Sequence, residues 1–333
     1  MKKQRIFSGV QPSGNIHLGN YLGAIKNWVE IYENYDSIFC VVDMHAITSP
    51  QEPNDLRKKI IEVAKIYLAC GINPEKAIVF VQSDVPVHCE LMWILNTITK
   101  TGELFKMTQF KDKAGIKGDF SKNFTSIDCG LMNYPILMAG DILLYDTEIV
   151  PVGQDQVQHI ELARDLAKRF NHKFGESFIV PKVSLKKSAM RIMSLDDPKK
   201  KMSKSNQSVW SRIELLDKED VVREKIKRAV TDSEKTIEYR EDRLAIKNLL
   251  DIYSQIEGKD PLKIAKFYEN TGYGKFKKDL AEKLIVFLND FQEKYDNISD
   301  EKVCDILEEG AKKAHFIAEK KIKIIKNKVG LGF

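Results

Sequence analysis

The chain has 333 residues, of which 43% are hydrophobic and 30% are charged, so its composition excludes an intrinsically disordered protein. At roughly 150 residues per domain, this length predicts about two domains. No apolar run approaches the ~18 residues of a membrane span, and the first residues carry no signal-peptide core. We therefore expect a cytoplasmic protein that is neither secreted nor inserted in a membrane.

Charge and cysteine usage narrow the class of protein further. Residues 1–150 hold 15 Lys and Arg against 17 Asp and Glu, whereas residues 151–333 hold 38 against 31. A basic second half favours a polyanionic partner, although a lysine-rich genome would produce the same bias. The five cysteines are widely spaced and include no Cys-x-x-Cys pair, which favours reduced thiols over a disulfide framework or a zinc site.

Strands and helices alternate through the first half of the chain. Short apolar runs predict buried strands, and apolar residues at intervals of three and four predict helices. In chain order they give a strand at 5–10, a turn at 11–15, a helix over 18–32, a strand at 37–42, a helix over 56–67, a strand at 77–81, a helix around 134–141, a strand at 148–152 and a helix over 157–170. This alternation predicts parallel βαβ units in a Rossmann-like α/β sheet.

The pattern changes after about residue 205. Apolar residues over 280–295 and 303–325 keep helical spacing, and no strand pattern accompanies them. We therefore predict a second, helical domain that begins after the basic loop at 199–206. The segment Gly272-Tyr-Gly-Lys275 lacks the spacing of a phosphate-binding loop and is predicted to form a turn.

Two segments carry residue types that suit phosphate chemistry. Gln11-Pro-Ser-Gly-Asn-Ile-His-Leu-Gly-Asn20 joins the first strand to the first helix, where an open α/β sheet binds ligands and a helix offers free N–H groups to phosphate. The same residues would also suit a plain strand-to-helix turn. Lys201-Met-Ser-Lys-Ser205 could neutralise charge moving onto a departing pyrophosphate, although a lysine run alone is as often a solvated loop.

Two further segments carry candidate binding residues. Gly153-Gln-Asp-Gln156 opens a predicted helix, where Asp155 is expected to act as an N-cap. Tyr134, Met138 and Asp141 recur at i, i+4 and i+7, so one helix face presents an aromatic ring, a thioether and a carboxylate. A carboxylate among apolar neighbours needs a partner, either inside the fold or on a ligand. An apolar residue beside an acceptor suits an indole, which has a hydrophobic body and one N–H donor.

The first two segments resemble the paired signatures of class I aminoacyl-tRNA synthetases, with Asn20 in place of the second histidine of His-Ile-Gly-His. Nearly the whole chain is similar to the bacterial tryptophanyl-tRNA synthetases. Tyrosine-specific members carry Gln at the position of Met138, so Met138 and Asp141 together favour tryptophan. Two departures concern local geometry: the segment 113–130 is longer than in those relatives, and Gly140 stands where alanine is usual.

The resemblance implies a role for individual residues. The implied catalytic residues are Gln11, Lys201, Lys204 and Ser205. The implied ATP-binding residues are Gln11, Pro12, Ser13, His17, Gly19, Asn20, Gly153, Gln154, Asp155, Ile192, Lys201, Met202, Ser203, Lys204 and Ser205. The implied tryptophan-binding residues are Phe7, Gly9, His45, Met138, Asp141, Val150, Val152 and Gln156. Asp155 would accept a ribose hydroxyl while it caps the helix.

The resemblance also implies a two-step reaction, in which tryptophan and ATP form tryptophanyl-adenylate and pyrophosphate before the acyl group passes to tRNA(Trp). Mg²⁺ would arrive with ATP, without a protein cage. His88 and the histidines other than His17 and His45 show no metal-ligand spacing and are interpreted as structural. The implied domains are 1–205 for catalysis, 206–300 for the anticodon and 301–333 as a C-terminal helix that packs back on the catalytic domain. The implied assembly is a homodimer.

Three alternatives stay open. A tyrosine-specific synthetase is the nearest, and the Met138 and Asp141 pair argues against it. A small-molecule nucleotidyltransferase would share the His-x-Gly turn, but the complete Lys201–Ser205 loop and the helical domain argue against it. A non-catalytic RNA-binding relative is disfavoured because both signatures keep their chemistry.

Overall fold

The structure, a computed structural model, describes residues 3–113, 127–184, 191–204, 206–234 and 236–332. It divides into two compact units. The first consists of residues 1–13, 28–187 and 300–333, and the second of residues 14–27 and 188–299. The longer loop expected at 113–130 falls largely outside the described residues. The predicted boundary after residue 205 stays a prediction, and each unit is described by itself below.

Five parallel strands form the sheet of the first unit, in the order β3-β2-β1-β4-β5. They are β1 (Arg5–Val10), β2 (Asp36–Val41), β3 (Ala77–Val81), β4 (Ile149–Pro151) and β5 (Lys182–Ser184). The central strands are continuous apolar runs because both faces of the sheet are covered. The predicted Rossmann-like sheet is therefore confirmed, and the chain reverses its strand order at β1, between β2 and β4. Ligands bind beyond the carboxyl ends of the strands at such a point.

Fourteen α-helices lie in the described ranges, several of them short. They are α1 (Leu18–Asn20), α2 (Lys26–Ile31), α3 (Asp43–Ala46), α4 (Pro53–Ala69), α5 (Val87–Asn96), α6 (Thr101–Leu104), α7 (Thr108–Lys113), α8 (Cys129–Leu143), α9 (Val157–Phe174), α10 (Glu219–Arg228), α11 (Leu244–Glu257), α12 (Pro261–Tyr268), α13 (Gly272–Asp296) and α14 (Asp300–Val329). A π-helical turn, Tyr21–Ile25, separates the first two. Within the described ranges, no helix is both long and apolar enough to cross a lipid bilayer.

The predicted turn at Gly272–Lys275 is wrong, because these residues form the first turn of α13. Gly272 has a φ of +72°, a value that glycine adopts without strain, and the chain enters the helix through it. The two glycines weakened the helical pattern locally. The apolar side chains that hold α13 in the second unit, such as Phe276 and Leu280, begin only after them.

The edge of the sheet at β3 is covered by α14. Buried small and aliphatic side chains of this helix, among them Ala314, Ala318 and Ile322, join the core of the first unit. Gly310 lies against the backbone of Val79, so closely that a β-carbon at this position would overlap the Val79 carbonyl group. Glycine therefore allows the helix to approach the unpaired strand edge, which would otherwise be open to another chain.

Gly310→Ala is expected to lower the free energy of unfolding by roughly 1–3 kcal/mol, because the added methyl group meets backbone that cannot move aside. The matched control is Gly274→Ala in α13, where a β-carbon meets no atom within 4 Å. There alanine should be neutral or stabilising by up to ~1 kcal/mol. Urea unfolding of both variants measures the difference, and equal stability of the two would contradict the close approach of α14.

Candidate active site

Asp141 lies at the centre of a buried polar cluster in the first unit, and only 1% of its surface is exposed. His88 Nδ1 and Gln82 Nε2 lie 2.6 and 2.8 Å from its Oδ1 atom. His45 Nε2 lies 2.9 Å from Oδ2. The three donors come from α5, from the turn after β3 and from α3. Parallel strands bring these segments to the same edge of the sheet.

The cluster keeps Asp141 ionised. Burial alone would raise the pKa of its carboxyl group, but hydrogen bonds from His45 and His88 outweigh that effect and hold the pKa well below its usual value. A carboxylate accepts about four hydrogen bonds, two on each oxygen. Two donors occupy Oδ1 and one occupies Oδ2. Oδ2 therefore retains the capacity for one more donor.

His88 and Gln82 are the members of this cluster that sequence reasoning missed. The Tyr145 hydroxyl lies 2.7 Å from His88 Nε2, while His88 Nδ1 faces Asp141. Tyr145 in turn stacks on Phe7, with ring centroids 5.6 Å apart. These contacts are compatible with the structural interpretation of His88, whose ring links Asp141 to the aromatic pair. No local signal marked the connection, since 53 residues separate His88 from Asp141.

The other predicted tryptophan-binding residues lie in the same unit. Phe7 and Val150 belong to the buried core, while Met138 and Val152 are partly buried against it. A β-carbon on Gly9 would lie 2.9 Å from the Cys40 carbonyl oxygen, so close packing of β1 on β2 requires glycine there. Tyr134 donates to or accepts from His159 Nε2 at 3.0 Å, and burial raises its pKa to about 12.

The structure of residues 153–156 differs from the predicted one, in which Asp155 caps the helix. A 3-10 turn, Gln154–Gln156, precedes α9, and the cap position belongs to Gln156 without a side-chain hydrogen bond. Asp155 is therefore not the N-cap. Its Oδ2 atom accepts instead from Gln156 Nε2 at 3.1 Å and from Gln109 Nε2 at 3.3 Å. Gln109, like His88 and Gln82, is a residue that the sequence did not mark. The side chain of Gln154 is outside the described part of the structure.

Gln11, Pro12 and Ser13 continue from β1 within the first unit. Gln11 Nε2 donates to the backbone oxygen of His45 at 3.3 Å. This hydrogen bond connects the first signature segment to the helix that supplies a donor to Asp141. Pro12 is buried and Ser13 is partly exposed.

In the second unit, His17 caps α1. Its Nδ1 atom accepts from the Asn20 amide at 3.3 Å, and Asn20 Oδ1 accepts from the His17 amide at 3.2 Å. Burial, followed by the positive charges of Lys204, Arg212 and Lys201, lowers the pKa of His17 to about 3. A neutral imidazole that accepts at Nδ1 carries its proton on Nε2. His17 can therefore offer a neutral N–H donor to a phosphate oxygen.

The pKa of His17 predicts a pH dependence of stability. The unfolded chain binds this proton near pH 6.5, whereas the folded chain binds it only near pH 3. Between these values the unfolded state holds more protons than the folded state. The free energy of unfolding therefore has its full value, as far as His17 is concerned, above pH 6.5, and it declines as the pH falls below that value. The decline is at most about 1.4 kcal/mol per pH unit. His17→Gln keeps an acceptor for Asn20 and should remove this part of the slope.

Urea unfolding at pH 7, 6 and 5 measures the slope for the wild type and for His17→Gln. The control is His315→Gln on the exposed side of α14, where the imidazole is 48% exposed. Its slope should match that of the wild type. Identical slopes for His17→Gln and the wild type would contradict the lowered pKa.

The second signature segment packs on this histidine turn within the second unit. Lys201 pairs with Met193 in an isolated antiparallel bridge, and the Met202 amide donates to the Ile192 carbonyl at 3.0 Å. Met202 is buried against Gly19, where a β-carbon would lie 3.4 Å from the Met202 side chain. The Lys204 side chain passes Gly14, whose φ is +60°. Ile192 is buried, Ser203 is partly exposed, and Ser205 lies outside the described residues.

Asn248 holds the start of this segment. Its side-chain amide accepts from the Met193 N–H at 2.8 Å and donates to the Met193 carbonyl at 3.0 Å. Asn248 lies on α11 and is only 4% exposed. Two hydrogen bonds between this buried helix residue and the Met193 backbone fix the position of the segment that pairs with Lys201. Sequence spacing gave no indication of them, because the partners are 55 residues apart.

Comparison with known proteins assigns the chain to a class of protein. A model of the family described as tRNA synthetases class I (W and Y) matches residues 1–289. The chain belongs to this family. It is 49% identical over 331 residues to a tryptophan–tRNA ligase of Helicobacter pylori, covering 99% of this chain and 100% of that protein. It is 48% identical over 332 residues to the tryptophan–tRNA ligase of Bacillus subtilis, covering 99% and 98%.

Solved structures agree with the sequence relatives. The tryptophanyl-tRNA synthetase of Mycoplasma pneumoniae superposes with a TM-score of 0.91 at 35% identity, covering 100% of this chain and 99% of that one. The Campylobacter jejuni enzyme, solved in complex with ADP and tryptophan, has a TM-score of 0.83 at 35% identity and covers 98% and 100%. The predicted family is confirmed.

Proposed function

We infer that the protein is a tryptophan–tRNA ligase. It activates L-tryptophan with ATP to give tryptophanyl-adenylate and pyrophosphate, and it then transfers tryptophan to the 3′ end of tRNA(Trp). The observation that carries this conclusion is the 49% identity to a tryptophan–tRNA ligase over 99% of the chain. The tyrosine-specific alternative is disfavoured, because the curated relatives reported above act on tryptophan by name.

Asp141 is proposed to recognise the indole. Its carboxylate is ionised and buried, and one acceptor position on Oδ2 is not used by the three donors that hold it. An indole N–H is a single donor on an apolar ring. Phe7, Gly9, His45, Met138, Val150, Val152 and Gln156 are proposed to complete the tryptophan site. Support comes from Gly9 and Val152, which lie near the carboxyl ends of β1 and β4, and from His45, whose Nε2 atom lies 2.9 Å from Asp141 Oδ2.

Catalysis of the first step is proposed to consist of positioning and charge neutralisation. The attacking group is the carboxylate of tryptophan itself, so the protein does not need to generate a nucleophile. Gln11 is proposed to orient the reacting groups, and Lys201, Lys204 and Ser205 to stabilise charge on the departing pyrophosphate. The neutral Nε2–H of His17 would donate to a phosphate oxygen. Gly153, Gln154 and Asp155 are proposed to hold the adenosine.

We propose that Mg²⁺ enters with ATP, bound by phosphate oxygens and water. The segment Lys201–Ser205 contains lysines and serines and no carboxylate, and these groups suit anions. Among the described residues, no group of three or more His, Cys, Asp and Glu side chains is arranged to hold a metal ion. When bound, the ion would neutralise phosphate charge alongside Lys201 and Lys204.

The assembly, location and tRNA contacts of the protein are proposals that rest on the family. We propose a homodimer in the cytoplasm, where its five free thiols stay reduced. We also propose that residues 206–300 receive the anticodon end of tRNA(Trp). Net charge does not explain this last assignment, because residues 206–300 hold 18 Lys and Arg against 20 Asp and Glu. The positive balance of residues 151–333 therefore comes from residues outside 206–300.

Exchange of pyrophosphate into ATP tests the proposed function without tRNA. The purified protein should support exchange with tryptophan and not with tyrosine or the other amino acids. Added tRNA(Trp) should then become charged with tryptophan. Exchange with tyrosine alone would assign the protein to the tyrosine-specific branch, and no exchange with any amino acid would leave an RNA-binding relative without ligase activity.

A further inference from the structure

The positive charge of the second half of the chain is concentrated outside the predicted anticodon domain. Residues 151–205 hold 12 Lys and Arg against 6 Asp and Glu, and residues 301–333 hold 8 against 5. Within α14 the distribution is steeper still. Residues 312–328 contain seven lysines and one acidic residue, whereas residues 300–311 contain one lysine and five acidic residues.

Four lysines of this second half of α14 lie on one exposed face. Lys313, Lys320, Lys323 and Lys328 are all exposed, and their spacing places them on one side of the helix. Phe316 and Ile324 lie on the same side and are 62% and 50% exposed. We call these six residues the α14 basic face. At 1.5 Å per residue it extends about 22 Å along the helix axis.

The lysines of the α14 basic face differ from the other lysines of the same helix in whether they form ion pairs. Lys321 is buried and paired with Asp146, Lys326 lies 2.7 Å from Glu90, and Lys312 lies 2.8 Å from Glu308. By contrast, none of the four face lysines forms an ion pair with any residue that the structure describes. Lys320 instead places its Nζ atom 3.8 Å from the centre of the Phe316 ring.

The end of α9 continues the basic surface within the first unit. Lys173 is exposed in the last turn of α9, with its Nζ atom 5.0 Å from the centre of the Phe174 ring. Lys328 Nζ lies beside Gly175, only 3.1 Å from where a β-carbon would be. The two helices are also joined through Lys321, which donates to the Ser177 carbonyl. Lysines from separate helices therefore meet at one surface.

Two general causes of lysine enrichment do not account for this face. A helix dipole favours cations only within the last turn, which contains Lys328 but not Lys313, Lys320 or Lys323. A lysine-rich genome adds lysine to exposed positions throughout, but the first half of the same helix is acidic. Nor does the fold require these side chains, because the opposite side of α14 supplies the buried residues.

We propose that the α14 basic face binds the sugar-phosphate backbone of the tRNA substrate, as a contact additional to the helical domain. This inference rests on the proposed function. The lysines match a polyanion in charge, and Phe316 and Ile324 provide apolar contact between them. Binding of this kind is independent of base sequence, so the face contributes affinity and leaves the choice of tRNA to other contacts.

The test replaces Lys313, Lys320 and Lys323 by Gln together. The control variant replaces three exposed lysines elsewhere in the first unit by Gln in the same way, namely Lys3, Lys58 and Lys76. It therefore removes the same number of positive charges as the α14 variant. The α14 variant should raise the KM for tRNA roughly tenfold at low salt and reduce the slope of log affinity against log salt by about 2–3, whereas the control should change neither. Tryptophan-dependent pyrophosphate exchange and the melting temperature should stay at wild-type values in both.

The outcomes separate this inference from the proposed function. Absence of pyrophosphate exchange in the wild type would refute the ligase activity itself. Normal exchange with an unchanged KM and salt slope for tRNA in the α14 variant would overturn the RNA contact. The RNA contact would also be overturned if the α14 variant keeps its tRNA affinity but loses binding to vesicles of phosphatidylglycerol and phosphatidylcholine. The α14 basic face would then bind a lipid surface.

Discussion

Lys204→Ala is expected to lower kcat for pyrophosphate exchange by about 10²- to 10³-fold, with a much smaller effect on the KM for ATP. The reason is that charge moves to the leaving pyrophosphate only as the reaction proceeds. An interaction that strengthens in the transition state appears in kcat, whereas one made equally in the ground state appears in KM. The packing of the Lys204 stem on Gly14 holds the side chain beside the first signature segment.

The matched control for this prediction is Lys200→Ala, four residues earlier in the same loop. Lys200 is 76% exposed and pairs with Asp197 at 3.0 Å, so its removal takes away the same charge without touching the proposed phosphate contact. Its kinetics should stay close to wild type. If Lys204→Ala changes only the KM for ATP, the lysine binds ground-state nucleotide and does not stabilise the leaving group.

Asp141→Asn is expected to reduce kcat/KM for tryptophan by about ten- to a hundredfold. The loss of a charge-assisted hydrogen bond to the indole costs roughly 1.5–3 kcal/mol. The preference for tryptophan over phenylalanine should shrink as well, because a site built around a hydrogen bond rejects the analogue that lacks it. Asparagine is the better probe than alanine, since alanine would leave all three buried donors of the cluster without an acceptor.

Structural damage is the competing explanation for an effect at Asp141, and the amino acid comparison separates it from recognition. A merely destabilised site loses tryptophan and phenylalanine activation together, whereas loss of the indole acceptor affects tryptophan more. The melting temperature is measured alongside, with Asp165→Asn on the exposed side of α9 as a control. An unchanged tryptophan-over-phenylalanine ratio in a stably folded Asp141→Asn protein would assign the carboxylate to the fold alone.

Local sequence was enough for four of the five strands, for half of the helices and for the family. The strand at Ala77–Val81 was predicted to the residue, because a fully buried strand is a continuous apolar run that neighbouring residues define by themselves. The two signature segments are likewise contiguous, so their chemistry could be named without knowing the fold. Errors occurred where local signals conflict, as with the glycines at the start of α13 and the 3-10 turn that displaces Asp155 from the cap of α9.

Tertiary structure decided which residues surround those that the sequence had marked. Asp141 was found from its helix face, but its partners Gln82 and His45 are 59 and 96 residues away, and only the parallel arrangement of strand ends brings them together. The contact of Gly310 with Val79 depends in the same way on how a distant helix packs on a strand edge. The basic face of α14 emerged only when burial separated paired lysines from exposed ones. Such contacts depend on the path of the whole chain, so no window of neighbouring residues contains them.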